Sequence, residues 1–470
     1  MDEAEQVPCL MGMEVECMNL AADTCDPARL SDRCGELIDE ISQHVPSVPG
    51  PTGIFTGYGR VYVDHGHLEL ATVECDNPFT LISVWERMQR VTSRALHELF
   101  LRGRSLELAN CNYSGLLTPH APTWGTHGNY LVTEPPEGLA DRLLPFLVSR
   151  VFMGSGGLEW PSGQLLASPR AHLLDRERGG GTTRQRAIHS TGRDEPLTSD
   201  PARFGDRYHT LLDDGVRSQF SLLLQHGTMS LVLNAVIADP EAIQTLPVSD
   251  RNAGRRSFWM RTLKRFNRLA APGHAPAVDP LVCRIQDVYL AAADRYVSRL
   301  RHPPSWMSQL LAIWESTLSA LRRNDVTWLS QRLDPWIKHR VFESWLSQRG
   351  HHWSQLPGNA AVASALALLN QDYHEFCNSD SVFAQLEASG ELKHRVTAAI
   401  TPGSEPEPYV PQVNTRGLAR ARWIQERAGC QEVVADWMRL QDARERMEWS
   451  LDDPQCPDLP NPVPFHLACH

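Results

Sequence analysis

Two short runs of strict alternation constrain this chain more than any other feature. In Gly59-Arg60-Val61-Tyr62-Val63-Asp64 the polar residues occupy every second position. A strand there sets a guanidinium, a phenol and a carboxylate on one face and both valines on the other. Met11-Gly12-Met13-Glu14-Val15-Glu16 repeats the pattern with two carboxylates, and Glu69 and Glu74 follow the first run closely. If the two strands share a sheet face, several acids converge on it. At roughly 4 Å each like-charged pair costs about 1 kcal/mol in water and about 4 at an effective dielectric near 20. Such a face calls for a cation, and hard oxygen donors on a rigid surface suit Mg2+ completed by substrate phosphates. A solvated sheet face that needs no metal is the plainer reading of the same alternation.

The chain has 470 residues and a formal charge of −11. That length is about three times a common 150-residue unit, so one large domain with an appendage fits as well as three domains. The acidic balance argues against nonspecific nucleic-acid binding, which needs a basic surface. The N-terminus, Met1-Asp2-Glu3-Ala4-Glu5, lacks the design of a signal peptide. The longest strongly apolar run, Ala360 to Leu369, is far below the roughly 18 residues that suggest a membrane span, so no membrane is expected. Its 11 cysteines, without a Cys-x-x-Cys pair, fit reduced thiols in a cytoplasm better than a disulfide framework.

Strand-like alternation fills residues 11 to about 235, with a helix predicted at Ser83–Arg104 from the spacing of Val84, Met88, Val91, Leu96 and Leu99. From Asp279 to Leu369 the pattern turns helical. The proline-dense segment from Thr401 to Pro411 reads as a linker, followed by two helix candidates, Arg416–Ala428 and Glu432–Trp449. The natural division is residues 1–399 and 400–470. Gly179–Gly181, followed by Thr182-Thr183-Arg184, reads as an anion nest or, with no strand-to-helix context, a flexible loop.

Taken together, Gly12-Met-Glu-Val-Glu16, Gly59-Arg-Val-Tyr-Val-Asp64, Glu69-Leu-Ala-Thr72 and Glu74-Cys-Asp-Asn77 resemble the Pup ligases and the related Pup deamidases, or depupylases, which act on prokaryotic ubiquitin-like protein. The resemblance continues through His127-Gly-Asn-Tyr130, Ser168-Pro-Arg-Ala-His172, Arg193-Asp-Glu-Pro196, His209, Leu333-Asp334, Ile337-Lys338, Tyr373-His374 and Asp436-Trp437, nearly the whole chain in order. It implies an α+β fold of glutamine-synthetase type, a curved, largely antiparallel sheet cradle with helices behind it and a small C-terminal domain. It further implies an ATP- and Mg2+-dependent enzyme that activates a carboxylate as an acyl phosphate and joins it to an amine. By the same resemblance Glu14, Tyr62 and Glu69 are metal ligands, joined by Glu16, His127 and His209. Arg60, Thr72, Arg193 and Trp437 are nucleotide contacts, and Asp64 is the catalytic base. The chemistry fits these residue types: cations offset charge on a transferring phosphoryl group, and a protonated amine needs a base before it can attack.

Four positions depart from the family pattern. Gly128 stands where the family has glutamate, implying one acidic ligand or positioning group fewer. Val216 replaces an asparagine, and Gly192 is an extra residue before Arg193. The basic stretch after Tyr373-His374 becomes Glu375-Phe-Cys-Asn-Ser-Asp380, which points to a carboxylate partner other than standard Pup. The spacing from Asp64 to Glu69 resembles the deamidases, whereas the short interval from Cys17 to Thr56 and Glu74-Cys-Asp-Asn77 are ligase-like. Ligation is the leading expectation, and amide hydrolysis through Asp64 or a non-catalytic nucleotide-binding descendant are the alternatives.

Overall fold

The computed structural model describes residues 9–21, 23–179, 186–190, 197–243, 246, 257–398, 409–430 and 432–464. Arg193 and most of the glycine triplet lie outside these. Nine strands form the main sheet: β1 (Met11–Glu16), β2 (Ser47–Pro49), β3 (Ile54–Thr56), β4 (Gly59–Asp64), β5 (His67–Thr72), β6 (Thr126–Val132), β7 (Arg176–Gly179), β8 (Ala187–Ser190) and β9 (Asp206–Thr210). Their order is β7-β8-β9-β6-β1-β5-β4-β3-β2. Only the β7–β8 pair is parallel, so the sheet is largely antiparallel, as expected. Both alternating runs are strands. His65 and Gly66, with φ of 45° and 89°, make the two-residue turn from β4 to β5, and a hairpin this tight requires positive φ at both central positions.

Met11, Met13, Val15, Val61, Leu68 and Leu70 turn to one side of the sheet and enter the main core. Helices α1 (Pro27–His44) and α2 (Pro78–Leu101) cover that side. The α2 helix begins at Pro78 rather than Ser83, because the Asn77 side chain accepts the Thr80 N–H and Pro78 supplies a preset first turn. A short helix α3 (Pro169–Leu173) follows β6, and α4 (Gln219–Ala238) runs through the core. Among the described residues α4 is the one helix long and apolar enough to cross a bilayer, and 94% of that apolar stretch is buried inside the fold. This helix is longer than the run Ala360–Leu369, but Gln225, His226 and Asn234 interrupt its apolar residues in the sequence.

The helical layer expected from Asp279 onward consists of α5 (Pro280–Arg299), α6 (Ser305–Arg322), α7 (Asp334–Gln348) and α8 (Ala360–His374). Buried Lys338 joins α7 to α8, donating to Gly156 O at 3.0 Å, Asn370 Oδ1 at 2.6 Å and His374 Nε2 at 2.6 Å. The Tyr373 hydroxyl donates to Asp334 at 3.0 Å. The paired motifs at 333–338 and 373–374 therefore form a structural polar knot.

The C-terminal segment folds as α9 (Arg416–Arg427) followed by β10 (Val433–Ala435), β11 (Arg439–Asp442), β12 (Met447–Ser450) and β13 (Val463–Pro464). The helix expected over Glu432–Trp449 is instead three antiparallel strands. Val433, Trp437 and Leu440 fall at helical intervals only by coincidence; Ala435 faces Leu440, and Val433 faces Asp442, across a hairpin. The core of this segment, with Trp423, Ile424, Val433, Leu440 and Trp449, also takes in Val48 of β2 and Phe55 of β3.

Buried Glu74, just after β5, clamps the segment to the sheet. Its carboxylate accepts from Arg416 Nε at 2.7 Å and from Arg420 Nη1 at 2.9 Å and Nη2 at 3.1 Å. Burial alone would raise its pKa, but the two guanidiniums outweigh burial and bring it to about 2. Glu74→Gln should cost about 3–5 kcal/mol, the loss expected when one partner of a buried pair is removed. The stabilisation is fully present above the unfolded carboxylate value of about 4.3 and fades as pH falls toward about 2. Chemical denaturation at pH values between about 6 and 3 checks this: stability should fall less steeply in the variant than in the wild type.

Candidate active site

Residues directly opposite in an antiparallel pair share a face, and the register therefore decides what meets. Glu14 lies opposite His127, and Glu16 opposite Glu69. Tyr62 also faces Glu69, and Asp64 faces His67. His209 is opposite Asn129. Arg60, Tyr62, Asp64, His67, Glu69, Glu14, Glu16, His127, Arg207 and His209 thus line the face turned away from α1 and α2.

Among the described residues two donor trios form there. Glu14, His127 and His209 each offer an atom within 4.8 Å of the others, and so do Asp64, His67 and Glu69. His127 Nδ1 is 3.4 Å from Glu14 Oε2, while its buried Nε2 makes no hydrogen bond and lies 4.0 Å from Glu16 Oε1. His209 Nε2 is 3.9 Å from Glu14 Oε2. Glu16 sits beside the first trio, its carboxylate accepting the Gly125 N–H. Tyr62 is hydrogen-bonded to Glu69; burial first, then the Glu14 and Glu69 carboxylates, hold its phenol well above its usual pKa. Asp64, half-exposed at the rim, accepts from His65 Nδ1 at 2.8 Å.

The electrostatics separate these acids. Burial pushes Glu14 up, but Arg207 and then the two imidazoles bring it well below the carboxylate range. Arg207 Nη2 donates to Glu14 Oε1 at 3.2 Å, and its Nε to Asn129 Oδ1 at 2.7 Å. Among the described residues Glu69 has no such cation. Burial, then Glu14 and Glu16, raise it to about 9. An acidic surface that forces one of its own carboxyls to stay protonated, beside a buried imidazole nitrogen without a hydrogen bond, has the donor chemistry of a divalent-cation site. Carboxylate oxygens suit Mg2+ and Mn2+, and the two imidazoles of the first trio extend its range to softer ions.

At the opposite end an arginine–aromatic stack joins this face to the C-terminal segment. The Arg60 guanidinium lies 4.1 Å from the Tyr62 ring centroid and 5.7 Å from that of Phe55. Phe55 meets Trp437 edge-on at 5.1 Å, and Arg420 lies 5.1 Å from the Trp437 ring. Trp437 occupies the β10–β11 turn, half-buried, at the edge of the cradle. Thr72 is placed otherwise: it is buried, and its hydroxyl accepts the Met13 N–H at 2.9 Å.

His67 and Arg207 escaped the sequence reading although the signal was present. Each stands two residues from a residue that was chosen, Glu69 and His209, and a strand carries such pairs on one side. Gly128 is the opposite case. It pairs with Met13 and Thr210, on the helix-covered side, and a Cβ there would stand 2.6 Å from Thr210 Oγ1 and 2.7 Å from the Tyr130 ring. The missing glutamate therefore takes no ligand from the acidic face. Val216 is likewise buried in the main core.

A family model described as Pup-ligase protein matches residues 17–441. Among curated proteins, the chain is 29% identical over 412 residues to a Pup--protein ligase of Bifidobacterium dentium, covering 81% of this chain and 78% of the relative. It is 30% identical to that of Acidimicrobium ferrooxidans, covering 81% of each, and 29% identical over 92% of each to Pup--protein ligase 1 of Rhodococcus erythropolis. The solved complex of Pup with its ligase PafA matches with a TM-score of 0.72 at 21% identity, over 96% of this chain and 89% of that one. PafA in complex with ADP matches at 0.66 and 20%, over 93% and 92%. The chain is an ATP-dependent carboxylate–amine ligase by class. It belongs to the Pup-ligase family.

Because position 128 faces the packed side, Gly128→Ala should lower stability by about 1–3 kcal/mol through overpacking while leaving divalent-cation and nucleotide affinity intact. Thermal melts beside calorimetric titration with ADP check both halves; weakened binding at unchanged stability would put position 128 in the site.

Proposed function

We propose that this ligase activates a carboxylate as an acyl phosphate on the acidic sheet face and joins it to an amine there. The observation that carries the reading is the convergence of Glu14, Glu16, Asp64 and Glu69 with His67, His127 and His209 on five neighbouring strands. Glu14, Glu69, His127 and His209 would hold Mg2+, with Glu16, Tyr62 and His67 beside them. Bound there, the cation would draw charge from the phosphoryl oxygens during transfer. Arg60 and Trp437 bound the end of the cradle where a nucleotide would lie, and Arg193 adds a contact implied by resemblance, whereas buried Thr72 turns to the helix-covered side and is left out of the set. Asp64, at the rim and within hydrogen-bond reach of solvent, would take the proton from the attacking amine.

The relatives named Pup--protein ligase and the solved Pup complex support a ubiquitin-like protein as carboxylate donor and a protein amine as acceptor. We assign this chain a carboxylate partner that departs from standard Pup. In the segment after His374, Glu375 is buried and accepts from Asn378 Nδ2 at 3.1 Å, and the exposed Asn378, Ser379 and Asp380 present an acid and no cation to an incoming chain. Mass spectrometry of the protein incubated with ATP, Mg2+ and candidate acids and amines tests the reading. Stoichiometric ADP that requires both substrates is expected, whereas amide cleavage without net ATP turnover would replace ligation by hydrolysis.

Asp64→Asn should slow amine attack by about 100-fold or more, the range for loss of a general base, with little change in nucleotide affinity. An equal loss of ADP affinity would move Asp64 into the metal set. Glu14→Ala and Glu69→Ala should each weaken Mg2+-dependent ADP binding by at least about tenfold; unchanged calorimetric affinity would remove them as ligands.

A further inference from the structure

Ser168-Pro-Arg-Ala-His172 matches the family pattern, yet it lies outside the strands that carry the acids. It forms the start of α3, and its backbone is fixed from several sides. Asn267 accepts the Ser168 N–H at 2.7 Å and donates to Ser168 O at 2.8 Å. Asp214 accepts the Arg170 N–H at 3.0 Å. The Arg170 side chain is 2% exposed. Its Nε donates to Leu211 O at 2.9 Å and its Nη1 to Thr123 Oγ1 at 3.1 Å. Three segments, α3 and the loops beside β6 and β9, thus hold one guanidinium in a fixed place.

The remaining nitrogen, Nη2, reaches the corner of the acidic face. It lies 3.2 Å from the point where a Gly125 Cβ would stand, and that same Cβ would fall on His127 Nε2. The Gly125 N–H is already bound to the Glu16 carboxylate. Arg170, His127 and Glu16 therefore surround the space that glycine leaves open. Burial pulls the Arg170 pKa down, and Glu16 is the foremost anion supporting its charge. A cation taken out of water needs an anion close by, and both hydrogen bonds named above end on uncharged oxygens. Its field falls on the Asp64 end of the sheet, since Glu16 faces Glu69 and Asp64 faces His67 on the adjoining hairpin.

We propose that Arg170 is a positioning residue of the ligase site: acting across the gap at Gly125, its guanidinium holds Glu16 and the His127 ring at the end of the cradle where the acyl group and the amine meet. The inference rests on the ligase reading above. Glu16 without this cation would swing away from Glu69 and relieve repulsion, and His127 would lose one wall of its slot. The glycine is needed for the same geometry, because any side chain at 125 displaces the imidazole.

The test compares wild type with Arg170→Met, Arg170→Lys and Gly125→Ala by thermal melting, by calorimetric ADP binding across a Mg2+ series, and by steady-state ADP formation with one acid–amine pair. Arg170→Met should lower kcat about tenfold or more and raise the Mg2+ concentration for half-maximal ADP binding several-fold, with KM for ATP at saturating Mg2+ within about twofold. Arg170→Lys should restore part of both, since it keeps the charge without the fork. Gly125→Ala should reproduce the Mg2+ shift with the bonds to Leu211 and Thr123 intact. If Arg170→Met fails to fold, Arg170→Lys still decides. A Mg2+ midpoint and kcat equal to wild type in any folded variant of Arg170, whatever its melting temperature, would reduce the residue to a structural brace. A wild-type protein that forms no ADP would overturn the ligase reading instead, and the Mg2+ series would still judge Arg170.

Discussion

Antiparallel register is the constraint on which the rest depends. Side chains alternate across a strand and meet their exact opposites on the next, so fixing β1 against β5 and β6 fixes Glu14 beside His127 and Glu16 beside Glu69 at once. A slip of one residue would bury these carboxylates against α1 and α2 and expose Met13 and Val15. The main core therefore enforces the acidic face: the methionines and valines are held on the helix side, and the acids have nowhere else to go. Repulsion among them is the cost of that arrangement, visible in Glu69, and Arg207 offsets it at Glu14.

Among the described residues the C-terminal segment is held by charge, by rings and by a shared apolar core, with no strand paired to the main sheet. Glu74 follows directly from the strand that carries Glu69, so the two-arginine clamp on it ties α9 to the same hairpin that shapes the site. Phe55 and Trp437 continue the contact beside Arg60. Position and chemistry are coupled here: a movement of α9 would disturb the wall of the cradle before it disturbed the carboxylates and imidazoles of the acidic face.

Much of this was legible in the residues. Alternation located β1 and β4 and put Arg60, Tyr62 and Asp64 on one face, and motif order supplied His127 and His209. Residues that depend on pairing partners were harder to find. His67 and Arg207 needed only the two-residue rule, but Gly128 needed a register: nothing in His127-Gly-Asn-Tyr130 says that residue 128 turns to the core. Val433, Trp437 and Leu440 mimicked a helical stripe, because a strand–turn–strand of suitable length can place apolar residues at three and four as well. Arg170 carries no periodic signal at all, since its place is set by the Leu211 carbonyl and the Asp214 carboxylate of one loop and by the Thr123 hydroxyl of another.

The shared core around Val48 and Phe55 bears on biosynthesis. Both residues leave the ribosome before Trp423, Ile424, Val433 and Leu440, which cover them. A nascent chain must carry an uncovered apolar sheet margin until those residues follow, the kind of surface that chaperones engage. The cradle would then be completed abruptly, when the margin closes and Trp437 takes its place beside Phe55.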